Sequence, residues 1–117
     1  GTLVLKHSGE YCVAENLKGV IVIAGECISI NLKSYTLDAN GNLNAIVIKD
    51  VKDISVFNGC ITGTLGATSA AILVTNSSDI KISNLNFDGA GIGERAVLFD
   101  SDKNLSMVDC NVKDYLS

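Results

Sequence analysis

The amino-acid sequence predicts an all-β solenoid in which about four turns of 25 or 26 residues stack on one another. Three segments align without a gap: 45–63, 71–89 and 96–114. Self-similarity at a fixed period of this size is typical of stacked repeats. The chain is 47% hydrophobic with only 5% aromatic residues and no Pro. Its apolar residues are mostly Ile, Val and Leu, and the β-branched members of this set favour strands.

The chain is expected to form one domain and to be part of a longer protein. Residues 1–19 hold two short strand candidates, Thr2–Leu5 and Tyr11–Ala14. They are expected to form an irregular first turn or cap. From Val20 the repeat begins in a variant form that is two residues longer around Asn31 and Leu32. Residues 20–117 are therefore predicted to form the solenoid.

Each copy of the repeat is predicted to contain three short strands. The first strands are Val20–Ile23, Ala45–Ile48, Ala71–Val74 and Ala96–Phe99. The second strands are Ile28–Ile30, Ile54–Val56, Ile80–Ile82 and Leu105–Met107. The third strands are Tyr35–Leu37, Cys60–Thr62, Leu85–Phe87 and Cys110–Val112. Alternation with a period of two places an apolar residue at every inward position except Gly59. Stacked copies would join these positions into one continuous core.

Two columns of Asp and Asn residues flank the second strand of the regular copies. The column before it consists of Asp53, Asp79 and Asn104, and the column after it of Asn58, Asn84 and Asp109. Asn and Asp tolerate the left-handed backbone conformation and hydrogen-bond the local backbone. Stacked at the spacing of one turn, their side chains can also form ladders. These residues are therefore predicted to form the sharp corners of the coil.

The stacked strands and corners resemble the rungs of a right-handed parallel β-helix of the pectin-lyase-like type. The opening, SGEYCVAENLKGVIVIAGECISINLKSYTLDANG, is similar to the first coil of bacterial and viral proteins of this type. The resemblance covers about residues 9–117. It implies a fold and not an activity, because one architecture hosts many functions. The catalytic strings of lyases and polygalacturonases do not occur in the sequence, so the resemblance supplies no catalytic residue.

Composition excludes several classes of partner. The formal charge is −4 and well mixed, so no basic patch favours nucleic acid. No apolar run reaches the roughly 20 residues that span a bilayer. The single His7 and the lack of a CxxC motif argue against a metal site, and no cofactor is expected. Four cysteines, Cys12, Cys27, Cys60 and Cys110, allow two disulfides or four free thiols, and the sequence leaves both readings open.

The links between one copy and the next are candidate ligand loops. They should emerge on one side of the stack, and loops on a rigid scaffold often carry binding residues. The polar candidates are Asp38, Asn40, Asp88, Glu94 and Arg95. Glycoside hydrolysis would need a pair of carboxylates. Asp38 and Asp88 should lie two turns apart, roughly 10 Å at the ~4.8 Å strand spacing, which is slightly beyond the usual inverting separation.

The outward positions of the first strands are apolar as well. They are Val20, Val22, Ala45, Val47, Ala71, Leu73, Ala96 and Leu98. A strand that is apolar on both faces is usually covered on both. This face is therefore expected to pack on a second copy of the chain, on a neighbouring domain or on the N-terminal segment folded back over it. The alternative is that these residues are there only because they are good strand formers.

The sequence thus favours a non-catalytic structural or adhesive module of an extracellular, cell-surface or virion protein that assembles through this face, with glycans as a candidate ligand. The alternative is a fragment of a polysaccharide-active enzyme, a lyase, hydrolase or epimerase, whose catalytic turns lie outside this segment.

Overall fold

A computed structural model of the chain describes residues 1–116. Within this range the protein is all-β, and its parallel sheets stack as a β-solenoid of about four turns. The first sheet contains five strands: β1 (Thr2–Leu5), β4 (Val20–Ile23), β7 (Ile46–Lys49), β9 (Ala70–Thr75) and β11 (Arg95–Asp100). The predicted fold class is confirmed.

The second sheet forms the remaining sides of the coil. Its main strands are β2 (Gly9–Cys12), β5 (Ile28–Asn31), β8 (Lys52–Thr62), β10 (Ser78–Asp88) and β12 (Lys103–Val108). Three short strands extend it: β3 (Leu17–Lys18), β6 (Thr36–Asp38) and β13 (Asn111–Lys113). The chain therefore passes through five levels, numbered one to five from β1 to β11.

The pairing register reproduces the repeat read from the sequence. Ile46 lies opposite Ile72, and Ile72 lies opposite Val97. In the second sheet, Ile54, Ile80 and Leu105 form an equivalent column. Equivalent residues of the three aligned segments are thus paired between neighbouring strands and lie on the same face of the sheet. The three segments are therefore three successive levels of the stack.

Residues 1–19 follow the same path as the later levels. β1 pairs with β4, β2 with β5, and β3 with β6. The predicted strand Thr2–Leu5 is observed. The predicted strand Tyr11–Ala14 is wrong by two residues, because the pairing of Gly9 with Ile28 sets the position of β2. The two-residue strand β3 has no strong sequence signal of its own and exists through its pairing with β6.

The second and third predicted strands merge in the middle of the stack. β8 and β10 each run unbroken for 11 residues. The corner between the second and third predicted strands lies inside each of them, at Asn58 with φ of 63° and at Asn84 with φ of 51°. A single left-handed residue bends a strand sharply without ending its pairing with the neighbouring strand. In the second level the chain instead breaks between β5 and β6, where Lys33 and Ser34 both have positive φ.

The inward columns form the core. Fourteen representative inward residues of levels two to four are at most 3% exposed: Ile21, Ile23, Ile28, Ile30, Leu37, Ile46, Ile48, Ile54, Val56, Ile61, Ile72, Val74, Ile80 and Ile82. In the fifth level the inward residues are more open, with Met107 at 39% and Val112 at 52% exposure. At roughly 1.5–3 kcal/mol for each fully buried large side chain, these columns are the main stabilising contribution.

Leu32 fills the one inward position that lacks a side chain. Gly59 lies in the third level, and a Cβ atom built on it would collide with the Cβ of Leu32. The Cδ1 of Leu32 would lie 2.8 Å from that atom, and the carbonyl oxygen of Tyr35 would lie 3.0 Å away. Leu32 is 1% exposed. The longer second level therefore places Leu32 in the space that the missing side chain of Gly59 leaves in the third level.

The six Asp and Asn corner residues all adopt positive φ. The column before the second strand has φ of 64°, 57° and 54° at Asp53, Asp79 and Asn104, and Asn104 Nδ2 donates to Asp79 Oδ1 at 3.0 Å. In the column after it, Asn84 Nδ2 donates to Asn58 Oδ1 at 2.7 Å, and Asp109 has φ of 54°. Side-chain hydrogen bonds thus link neighbouring levels along the corners.

A double-mutant cycle tests the Leu32–Gly59 arrangement. Gly59→Ala should lower the free energy of unfolding by about 1–3 kcal/mol through overpacking. Leu32→Gly should lower it by at least about 2–5 kcal/mol, because it leaves a cavity and removes the Cβ of Leu32. The double variant should lose less than the sum, because the absent Cβ of Leu32 makes room for the methyl group added at position 59. Urea unfolding followed by circular dichroism measures this. Leu65→Ala, at a half-exposed loop position, is the control; strictly additive losses would contradict the arrangement.

Substitutions at Asn84 and Asn86 separate backbone from side-chain effects at the corner. Asn84→Ala should destabilise by about 1–3 kcal/mol, because alanine tolerates positive φ poorly and the hydrogen bond to Asn58 is lost. Asn84→Gly should cost less, since glycine adopts this φ freely. Asn86 lies in the same strand and accepts a hydrogen bond from Asn111, but its φ is negative. There the order should reverse, with Gly worse than Ala; the same order at both positions would refute the explanation.

Candidate binding surface

An apolar column runs up the outer face of the first sheet through all five levels. Its members lie opposite one another in the register of the sheet: Val4, Val22, Val47, Leu73 and Leu98. Val4 is 44% exposed, and the other four are half-buried. Their flanks contact the neighbours above and below, so the remaining exposure is the outward side of each side chain. We call this set the outer column.

The interface predicted from the sequence lacks Val4 and contains two alanines that are not on the surface. Val20 and Ala96 are half-buried beside the outer column, as Val22, Val47, Leu73 and Leu98 are within it. Ala45 and Ala71, in contrast, are 0% exposed and belong to the interior cluster. Ala45 directly precedes β7, Ala71 is the second residue of β9, and both pack in the interior although alternation places them outward. Ala45 and Ala71 are therefore removed from the predicted interface.

Polar and charged residues border the outer column on its other side. The border consists of the residues two positions after each column member, and all of them except Ala24 are polar or charged: Lys6, Ala24, Lys49, Thr75 and Asp100. Lys49, Thr75 and Asp100 share one register column. The ion pairs found among residues 1–116 join Lys52 to Glu26 and Lys113 to Asp88. The three charges of this border therefore have no ion-pair partner within the described chain.

The carboxylates of the predicted ligand loops are used in local turns. Asp38 Oδ1 accepts a hydrogen bond from the backbone N–H of Asn40 at 2.8 Å. Asp88 Oδ1 accepts one from the N–H of Ala90 at 2.9 Å, and its Oδ2 lies 3.8 Å from Lys113 Nζ. Asp38 and Asp88 stand in one column with Thr62 between them. Both carboxylates thus shape their own loops.

The other two loop candidates lie at the start of the fifth level. The N–H of Glu94 donates to Ser69 Oγ at 2.8 Å, and Ser69 is fully buried. Arg95 is the first residue of β11 and lies opposite Ala70. Successive loops therefore stack and hydrogen-bond on one another. The structure spreads the five predicted ligand residues over three levels rather than gathering them at one point.

Tyr115 covers the loop of the fourth level. Cβ atoms built on Gly89 and Gly93 would lie 2.8 Å and 3.1 Å from the Tyr115 ring, so the two glycines make room for it. Burial, and then the charge of Asp88, raise the pKa of the Tyr115 hydroxyl well above its ordinary range. The phenol is therefore neutral and acts as a packing group.

All four cysteines are free thiols. Cys12 and Cys27 are exposed, whereas Cys60 and Cys110 are half-buried. Partial desolvation, followed by the Asp53 carboxylate, raises the pKa of the Cys27 thiol. Asp53 Oδ2 lies 3.7 Å from Cys27 Sγ. Because the thiolate is the reactive form, Cys27 has the opposite of the environment that activates a nucleophile.

A polar groove at the corner between the first and second sheets escaped the sequence reasoning. Two adjoining cavities of about 450 and 710 Å³ share Glu26, Asp50 and Val51. A third corner column, Asp50, Asn76 and Ser101, lines it; all three have positive φ, and Asn76 donates to Asp50 at 2.8 Å. The signal was present, since these residues recur at the spacing of the repeat.

Within residues 1–116, no group of three or more His, Cys, Asp or Glu side chains is placed to hold a metal ion. The same residues include no helix that is long and apolar enough to cross a membrane. The chain matches no protein-family model, no curated protein and no solved structure.

Proposed function

We propose that the chain is a non-catalytic structural module, a right-handed parallel β-helix of the pectin-lyase-like type that self-associates through the outer face of its first sheet. The observation that carries the proposal is the outer column, which is apolar at all five levels, Val4, Val22, Val47, Leu73 and Leu98. The second sheet offers a contrast, because its outward column of Glu10, Ser29, Ser55, Lys81 and Ser106 is polar throughout.

The size of the face sets the strength of the association. Strands of four residues and four steps between levels give roughly 13 by 19 Å, or about 250 Å² on each copy. Stable interfaces bury about 800 Å² on each partner. Self-association through this face is therefore weak, and it takes effect where copies are held at high local concentration. A cell surface, a secreted assembly or a virion provides such a setting, and we propose an extracellular location of this kind.

A charged patch on the outer column should abolish self-association without unfolding the coil. Val47→Lys with Leu73→Lys places two ammonium groups in the centre of the face, where burial without a counter-charge is unfavourable. Sedimentation equilibrium at high micromolar to millimolar concentration should show a dimer for the native chain and a monomer for the variant. Circular dichroism should remain that of the native chain.

The matched control adds the same charge to the other sheet. Ser55→Lys with Ser106→Lys lies on the outward column of the second sheet and should leave the dimer intact. A native chain that stays monomeric at millimolar concentration would rule out self-association through this face.

Glycan binding is a second candidate, favoured by the corner groove. Its walls carry stacked polar side chains, including Lys52 and Lys103, which stand two levels apart in one register column with Ser78 between them. Repeated hydrogen-bonding groups at one level spacing suit an extended polar chain with a regular repeat. Lys103 has no ion-pair partner within residues 1–116, whereas the carboxylates of Asp38 and Asp88 in the predicted ligand loops are held in turns.

A glycan array followed by calorimetry tests this second candidate. Lys52→Ala with Lys103→Ala should weaken binding of any captured glycan at least tenfold, because two charge-assisted hydrogen bonds of about 1.5–3 kcal/mol each can be lost. Glu94→Gln, in the loops away from the groove, should change it little. If the Glu94 variant loses glycan affinity and the lysine variant does not, the glycan binds at the loops and not in the groove.

A further inference from the structure

We infer that two copies pack face to face through the outer column with their solenoid axes antiparallel, so that the first level of one copy meets the fifth level of the other. This inference rests on the proposed self-association and specifies its geometry. Most homodimers are two-fold symmetric. For two flat faces in contact, the two-fold axis lies in the plane of the interface. It can run along the solenoid axis or along the strands, and the two choices bring different residues together.

The sizes of the outer-column residues favour the axis along the strands. The column holds valine at levels one to three and leucine at levels four and five. An axis along the strands inverts the order of levels, so Val4 meets Leu98, Val22 meets Leu73, and Val47 meets its own copy. Small residues then face large ones, and the separation of the sheets stays nearly even. An axis along the solenoid would set valine against valine and leucine against leucine, leaving a wedge-shaped gap.

The charges bordering the column favour the same axis. With the axis along the strands, this border lies against itself with its levels inverted, and Lys6 meets Asp100 of the second copy twice by symmetry. Ala24 meets Thr75, which costs little. With the axis along the solenoid, the border lies instead against the opposite edge of the face, where Val20 and Ala96 are found. Lys49 and Asp100 would then be desolvated against apolar side chains without a counter-charge.

One contact opposes the arrangement, since Lys49 at the middle level approaches its own copy. Lys49 is exposed and lies at the rim of the face. A lysine can bury its methylene stem and keep its ammonium group in water, so the two charges can diverge. The two complementary pairs between Lys6 and Asp100 outnumber this single repulsion. The antiparallel arrangement is therefore the one that the surface of this chain fits.

A zero-length carbodiimide cross-link between Lys6 and Asp100 reads the geometry directly on the native chain. Within one chain the two residues are four levels apart, roughly 19 Å, so a direct amide bond between them must join two copies. Mass spectrometry of the digested dimer should identify this link. It should disappear in the Val47→Lys, Leu73→Lys variant. A link that survives in that variant, or products that extend beyond the dimer, would indicate end-to-end stacking and overturn the inference.

A charge exchange provides the second measurement. Asp100→Lys should weaken the dimer about tenfold, because two complementary pairs become repulsive. Combining it with Lys6→Asp should restore the native dissociation constant, while combining it with Lys81→Asp on the other sheet should not. A native dimer that shows neither the cross-link nor the rescue refutes the antiparallel geometry and leaves self-association standing. A native monomer refutes both.

Discussion

The constraint on which the structure depends is the parallel pairing of each strand with the strand one level below it. This pairing fixes the spacing of successive levels and the face on which each side chain lies. A slip of one residue would send the whole inner column to the surface. The Ile and Val residues of the inner columns therefore stabilise the fold and also specify its register. The corner residues complete that specification in levels three to five, where Asn58, Asn84 and Asp109 place the bend at the same point of the repeat.

Most of the fold could be predicted from the sequence, because residues that stack on one another in adjacent levels recur at the period of the repeat. The inward residues of levels two to four and the positions of the first strands follow from alternation and spacing alone. What could not be predicted depends on contacts between levels rather than within them. Leu32 reads as part of an irregular insertion, and Gly59 reads as a gap in the core. The stacking of the second level on the third places Leu32 in the space beside Gly59.

The surface was less predictable than the core. Alternation identifies an outward position in a strand, but it does not show whether that position is covered, and Ala45 and Ala71 are buried. The loop carboxylates illustrate a different limit, since Asp38 and Asp88 look free in the sequence but accept hydrogen bonds from backbone N–H groups two residues ahead. The corner groove was overlooked because each polar residue lining it is ordinary alone. Its significance lies in the column that Asp50, Asn76 and Ser101 form together.

The apolar residues of the outer column can have two roles, since they favour the strand and can also form a contact surface. Valine and leucine suit a strand, so part of their presence follows from strand preference alone. Strand preference does not explain why the outward column of the first sheet is apolar while that of the second sheet is polar, since both sheets are built from the same repeat. Nor does it explain why the column changes from valine to leucine while its border changes from Lys6 to Asp100. When two such faces meet, both differences become complementary if the second copy is inverted, and this is the physical argument for the antiparallel pair that we propose.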